Sequence, residues 1–253
     1  LAAFQALLYR YTGQSDILVG TPTTGRSRAD FGNIVGYFIN TVVLRARLSD
    51  DLTFTELLKR TRQTVLDAFA HQDYPFALLT KQLQPTRDPA FPPVFQVLFV
   101  WEQAPWHESA DFNAFSLGKA GARLQLGGLA LELVALPQQA VQYDLVLQMA
   151  EVSDDLGMVV FFNTDLFEMA TIERLIGHFQ TLLLSIVTHP DQRLFDLSLL
   201  TDWEQRQLIL DWNDTRVEAD LPPVIHAWFE RQAQRQPDAA ALAFRDDTLT
   251  YAE

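Results

Sequence analysis

The sequence predicts a mixed α/β lobe followed by a linker and the opening of a second domain. Three observations carry this. Apolar strand candidates alternate with amphipathic helices up to about residue 190. An almost unbroken apolar face, Ile172, Leu175, Ile176, Phe179, Leu182, Leu183, Ile186 and Val187, marks one long helix. A length of 253 residues, 48% of them hydrophobic, suffices for a buried core.

Taken in order, Leu1, Phe4, Leu7, Leu8 and Tyr11 recur at helical spacing, and Gly13 offers a C-terminal stop. Ile17 to Gly20 reads as a short buried strand, and 21–33 as a loop punctuated by Pro22, Gly25 and Gly32. Phe38 to Leu48 is β-branched and apolar, a strand. Leu52 to His71 reads as a helix, and Pro75 suits the first turn of another that reaches Leu83. Val94 to Trp101 is a strand candidate. From Glu102 to Gly128 the pattern weakens into a long surface loop or a short excursion. Leu129–Leu136, Tyr143–Val152 and Leu156–Asn163 read as strands, the last two joined by a turn at 153–155. The long helix ends at His189-Pro190. Beyond it lie a short helix over Trp203–Leu210, a boundary at Pro222-Pro223, a helix over Val224–Gln234, and strand-like runs on either side of Asp246-Asp247. The helical stripe begins at Leu1 without a cap and the final strand has nothing to close it, so the chain reads as a window cut from a longer polypeptide. The expected division is a lobe over 1–190, a linker over 191–221 and the start of another domain over 222–253.

Composition excludes several functions. With 19 Lys+Arg against 32 Asp+Glu, the net charge of −13 argues against nucleic-acid or anionic-membrane binding. Without cysteine there is no disulfide, thiolate metal site or Cys nucleophile. No apolar run approaches the ~20 residues of a membrane span, and the first residues lack the basic region of a secretion signal; a cytoplasmic location is expected. No two histidines stand at i, i+4, and no carboxylate joins one at ligand spacing, so no metal site is expected. His178 lies one position off the long helix's stripe, which suits solvent exposure or a satisfied hydrogen bond. His189, at the end of the same helix, complements its dipole. No Gly-x-Ser-x-Gly elbow and no phosphate-binding glycine motif occurs. From the residues alone, a truncated α/β lobe with no visible catalytic centre is as far as the reading goes.

Three clusters are more specific: Ile34-Val35-Gly36-Tyr37-Phe38-Ile39-Asn40-Thr41-Val42-Val43-Leu44-Arg45; His71-Gln72-Asp73-Tyr74-Pro75-Phe76; and Arg87-Asp88-Pro89 with Pro93-Val94-Phe95-Gln96-Val97. In order and spacing they resemble the last three core motifs of nonribosomal peptide synthetase condensation domains. Tyr11–Gln14, Val19–Pro22 and Phe162–Phe167 resemble the same family, and Leu249–Glu253 resembles the first motif of an adenylation domain. The resemblance implies the C-terminal half of a two-lobed fold like chloramphenicol acetyltransferase. In that fold a His-His-x-x-x-Asp-Gly motif sits at the lobe junction, in a tunnel that receives two carrier-protein thioesters and joins them through an amide bond. This chain holds no His-His pair, so the motif is expected upstream and the chain alone is expected to be inactive.

The resemblance also nominates supporting residues. Asn40 either hydrogen-bonds substrate or the partner lobe, or is an amide satisfied by backbone. Arg45 is an ion-pair partner across the lobe or, more simply, the polar end of a strand. Asp73 suits a cap for the Pro75 helix, while His71 would reach substrate only if turned toward the tunnel. Arg87 and Asp88 suit a turn or lobe contact. Asp144 opens a strand bordering the tunnel and suits a structural hydrogen bond there. Arg26 and Arg28 lie in a loop that would meet an acidic carrier protein or simply be solvated. The implied partners are upstream and downstream carrier proteins, the first lobe, and the rest of the adenylation domain. No cofactor is expected on the chain itself: 4'-phosphopantetheine arrives on the carriers, and ATP and magnesium belong to the adenylation domain. Two other readings fit the same scaffold, a docking platform that has lost chemistry and an epimerisation or heterocyclisation variant.

Overall fold

The apolar alternation of the expected lobe resolves into one five-stranded mixed sheet. The structure, a computed structural model, describes residues 1–83, 91–103, 109–134, 136, 140–216 and 224–253. β1 (Asp16–Thr23) pairs antiparallel with β2 (Asn40–Arg47) and parallel with β3 (Val97–Glu102). β3 pairs parallel with β6 (Leu145–Val152), which pairs antiparallel with β7 (Asp155–Phe162). The order across the sheet is therefore β2-β1-β3-β6-β7. Ser153, at φ 58, forms the tight β6–β7 turn expected there.

On one face of the sheet lie α1 (Ala2–Thr12) and α5 (Met169–Thr188), with α2 (Phe54–Ala70) against α1 and β2. Their apolar stripes meet Ile17, Val19, Ala46, Phe99, Leu145 and Leu147 in one core, where Phe4 contacts the rings of Phe99 and Phe179. Gly13 ends α1 in the left-handed conformation at φ 68, its N–H donating to the Tyr9 carbonyl, as a helix-terminating glycine does. α2 opens with a reciprocal capping box in which the Thr53 hydroxyl accepts from the Glu56 N–H and the Glu56 carboxylate accepts from the Thr53 N–H. α3 (Phe76–Leu83) starts directly after Pro75, as expected.

Several expectations are corrected. The weakly patterned stretch after β3 contains a helix, α4 (Ser109–Ser116), packed on β6, and a strand, β4 (Arg123–Leu126). β4 pairs with β5 (Leu129–Glu132), so the strand expected at 129–136 is shorter and forms a separate hairpin outside the main sheet. His178 is not solvent-exposed: it is buried, and its Nδ1 lies 2.5 Å from the Tyr11 hydroxyl, the satisfied hydrogen bond of the two readings.

The chain forms two compact units, Leu1–Asp202 and Trp203–Glu253. Residues 191–202 of the segment expected to be a linker therefore belong to the first. Leu194 and Leu197 are fully buried in its core, and the Arg10 guanidinium donates to both of their carbonyls at 2.8 Å. The Thr55 hydroxyl ties the same strap by donating to the Pro190 carbonyl and the Asp191 carboxylate. In the second unit α6 (Asp202–Arg206) runs into a π-helical turn over Gln207–Asp211, followed by α7 (Ile225–Arg235) and a hairpin of β8 (Ala240–Phe244) and β9 (Asp247–Thr250). That hairpin turns at Arg245-Asp246, one residue earlier than expected, with Arg245 at φ 57. The boundary expected at Pro222-Pro223 lies outside the described residues, as do Arg87 and Asp88.

Candidate functional site

Two of the three motif clusters converge where β1 ends and β2 begins. Asn40, the first residue of β2, projects its amide into the turn that precedes α3. Its Nδ2 donates to the carbonyls of Gln72 and Tyr74, each at 2.8 Å, and its Oδ1 accepts the Phe76 N–H at 3.0 Å. One half-buried side chain thus satisfies the Phe76 N–H, which a helix start would otherwise leave unpaired, and two carbonyls of the preceding turn. Of the readings open from sequence, the backbone-satisfied amide is the one observed. It is Asn40, and not Asp73, that caps α3. Asp73 instead accepts from the Ser27 hydroxyl at 3.0 and 3.4 Å, fastening the turn to the loop between β1 and β2.

That loop is built around Arg26. Its guanidinium lies 4.4 Å from the centre of the Phe38 ring and donates to the carbonyls of Phe31 and Gly36, and Phe31 stacks on Phe38. Gly25 sits at φ 62, where a Cβ would stand 1.8 Å from the Phe38 carbonyl oxygen, so only glycine admits this closure. Arg28 pairs with Asp30 at 2.9 Å and lies over Phe31. Arg26 is consequently occupied inside its own loop, and Arg28 is exposed but paired. Outward from this frame the loop presents Ile34, Val35, Tyr37 and Ile39, with Val35 fully exposed, and Tyr74 is exposed on the turn before α3.

Under the turn lies an aromatic layer. Phe95, fully buried, has its ring centre 5.5 Å from that of Phe76 and 5.0 Å from that of Tyr143, on which it stacks. Gly20 makes room for it: a Cβ on Gly20 would stand 2.2 Å from the Phe95 ring. Burial, and secondarily the nearby Tyr37 phenol, raises the Tyr143 hydroxyl above its ordinary pKa.

The other nominated residues stand elsewhere. Arg45 lies in the opposite half of β2, across from Leu18, and forms a two-point ion pair with Asp16 at 2.8 and 2.5 Å. The pair is made to the neighbouring strand of the same sheet, not across the lobe. The Arg45 hydrogen bond holds the Asp16 carboxyl below the usual aspartate range. His71 ends α2, and its Nδ1 lies 2.9 Å from the Asp67 carbonyl, which fixes the proton on Nδ1 because a carbonyl only accepts. Asp144 contributes through its backbone, donating to the Gln96 carbonyl and accepting from the Asn163 N–H.

Among the described residues no group of three or more His, Cys, Asp or Glu side chains is placed to hold a metal ion, and no helix is long and apolar enough to cross a membrane. The site is a polar knot beneath an exposed apolar loop. Sequence reading missed the Asn40 cap because its partners lie 32 to 36 positions away. The Thr53-x-x-Glu56 box, in contrast, carries a local signal that a scan for capping boxes would find.

Comparison with known proteins agrees with this frame. The chain is 41% identical over its whole length to a linear gramicidin synthase of Brevibacillus parabrevis, and spans 5% of that protein. It is 37% identical to tyrocidine synthase 3 of the same species and 34% identical to surfactin synthase subunit 1 of Bacillus subtilis (strain 168), covering all of this chain and 4% and 7% of theirs. In fold it superposes on a four-domain nonribosomal peptide synthetase crystallised with AMP and glycine, at a TM-score of 0.79 and 24% identity. That match covers 100% of this chain and 19% of the other. The teicoplanin X-domain in complex with OxyB matches over 79% of this chain and 42% of its own, at a TM-score of 0.64 and 23% identity. Residues 1–209 match the family model described as the condensation domain, and the chain belongs to that family.

Proposed function

We propose that this chain is the C-terminal lobe of a peptide-bond-forming condensation domain, its strap and linker, and the first residues of an adenylation domain, within an antibiotic-producing nonribosomal peptide synthetase. The parent domain would join two carrier-tethered aminoacyl or peptidyl thioesters. The acceptor amine attacks the donor thioester carbonyl, the C–S bond breaks, and the amine's proton leaves as the thiol is released. The observation that carries the reading is the family match over residues 1–209, together with the Asn40-supported loop built from two of the family's motifs.

In this reading the lobe orients substrates and does not supply the acid–base group, because the chain contains no His-His-x-x-x-Asp-Gly. Phosphopantetheine arrives on carrier proteins at either mouth of the tunnel, ATP and magnesium belong to the adenylation domain, and the assembly is cytoplasmic. The test mixes the chain with two carrier proteins loaded with different aminoacyl groups and looks for dipeptidyl thioester by mass spectrometry. None is expected from the chain alone, and its formation would overturn the division of labour. In the parent synthetase the same assay separates the other readings. Dipeptide supports condensation, a donor inverted at its α-carbon supports epimerisation, and loss of a further water supports heterocyclisation. Indifference to loss of the upstream second histidine supports a docking platform.

A further inference from the structure

We propose that the outer edge of β2 and the adjoining face of α2 form a docking groove for an extended acidic segment of a partner protein, taken up as an added strand. Among the described residues β2 is the outermost strand of its sheet. The Leu48 N–H donates to the Ser15 carbonyl at 2.8 Å, which makes 48 and 15 a hydrogen-bonded pair and fixes the alternation along the ladder. Residues 46, 44, 42 and 40 therefore turn their backbone groups toward β1, and Arg47, Arg45, Val43 and Thr41 turn theirs outward. Pro22, which has no N–H, stands opposite Thr41, at a position where β2 asks nothing of it.

Along this edge runs a groove of about 580 Å³, whose walls include Val43, Arg45 and Arg47 from β2 and Arg60, Thr64 and Asp67 from α2. Three arginines to one aspartate is the reverse of the chain's net charge of −13. Arg45 is taken by Asp16 and Asp67 accepts from Gln63, whereas Arg47 and Arg60 form no ion pair with a described residue. An extended segment fills such an edge with main-chain hydrogen bonds, and side chains on alternate positions set its specificity. Carboxylates on the face toward α2 would meet Arg60, and carboxylates on the opposite face would meet Arg47, which alternates with the core-facing Ala46. A second copy of this chain suits the edge poorly, because antiparallel pairing of two β2 strands over 41–47 sets Arg47 against Thr41 and Arg45 against Val43 and offers the arginines no carboxylate.

The probe is a short fluorescent peptide of repeated glutamate–glutamate–valine, which places carboxylates on both faces of an added strand, titrated into the 253-residue chain by anisotropy, with backbone amide exchange followed by NMR. The expected result is saturable binding that slows exchange at Val43, Arg45 and Arg47 and weakens with salt. The pair Arg47→Glu and Arg60→Glu, both exposed positions, should weaken it at least about tenfold while leaving the circular dichroism spectrum unchanged. Equal binding of a lysine–valine peptide, indifference to the double reversal, or protection located off β2 would overturn the proposal. Protection that appears without peptide as the chain dimerises would overturn it in favour of self-association. No binding at all would overturn it too, leaving the arginines as guards against edge aggregation.

Discussion

The Oδ1 of Asn40 accepts the Phe76 N–H at 3.0 Å and so fixes where α3 begins from the far side of the loop that joins two sheet strands. The same amide holds the carbonyls of Gln72 and Tyr74, which makes the helix start and the exposed loop one mechanical unit. Replacing Asn40 by alanine orphans all three groups and should cost about 2 kcal/mol in chemical denaturation. Asn40→Asp keeps an acceptor for Phe76 but turns a carboxylate on two carbonyls, so it should not rescue. A loss under about 0.5 kcal/mol in both would show that water replaces the amide freely.

Gly20 and Phe95 should be coupled. Gly20→Ala drives a methyl into the buried Phe95 ring and should destabilise by about 1–3 kcal/mol. Combined with Phe95→Leu, the second change should cost less than it does alone, giving a favourable interaction energy in a double-mutant cycle. Simple additivity would mean that the ring moves aside without cost.

Leu194 tests where the lobe ends. It is fully buried though it lies in a stretch that reads as linker. Leu194→Ala should destabilise the first unit by about 2–5 kcal/mol, as at other core leucines. A surface-like change within about 0.5 kcal/mol would return the strap to the linker.

The Asp16–Arg45 pair sets a pH dependence of known sign. The folded-state pKa of Asp16 is depressed, so its stabilisation is present above the unfolded value and is lost as pH falls through the folded one. Carboxyl-carbon NMR should place the Asp16 titration below that of an unpaired aspartate. Arg45→Gln should move it up toward the ordinary range, and an unchanged midpoint would show that the pair is absent in solution.

What the sequence made legible was periodic or locally punctuated. The stripes of α1, α2 and α5, Gly13 as a stop and Pro75 as a start each depend on residues within one or two turns of each other. What stayed hidden was made by distant contacts. His178 leaves the stripe of α5 by one position, yet it is buried because the end of α1 brings Tyr11 over it. Leu194 and Leu197 carry no helical or strand period, and their burial depends on Arg10 and Thr55 fastening the strap. α4 is short and rich in small and polar residues, so its apolar signal is weak even though it packs on β6. Of the site, the motif residues were evident from the family resemblance. Their jobs were not, since Asn40 caps a helix that begins 36 residues later.

In the proposed division of labour this lobe supplies scaffold and orientation, while a first lobe supplies the acid–base group. The most direct test joins a first lobe carrying His-His-x-x-x-Asp-Gly to the chain in one polypeptide and measures dipeptidyl thioester by mass spectrometry. Product should appear with the joined protein and vanish when the second histidine is changed to alanine. Product from the chain alone, or product that survives the loss of that histidine, would contradict this division.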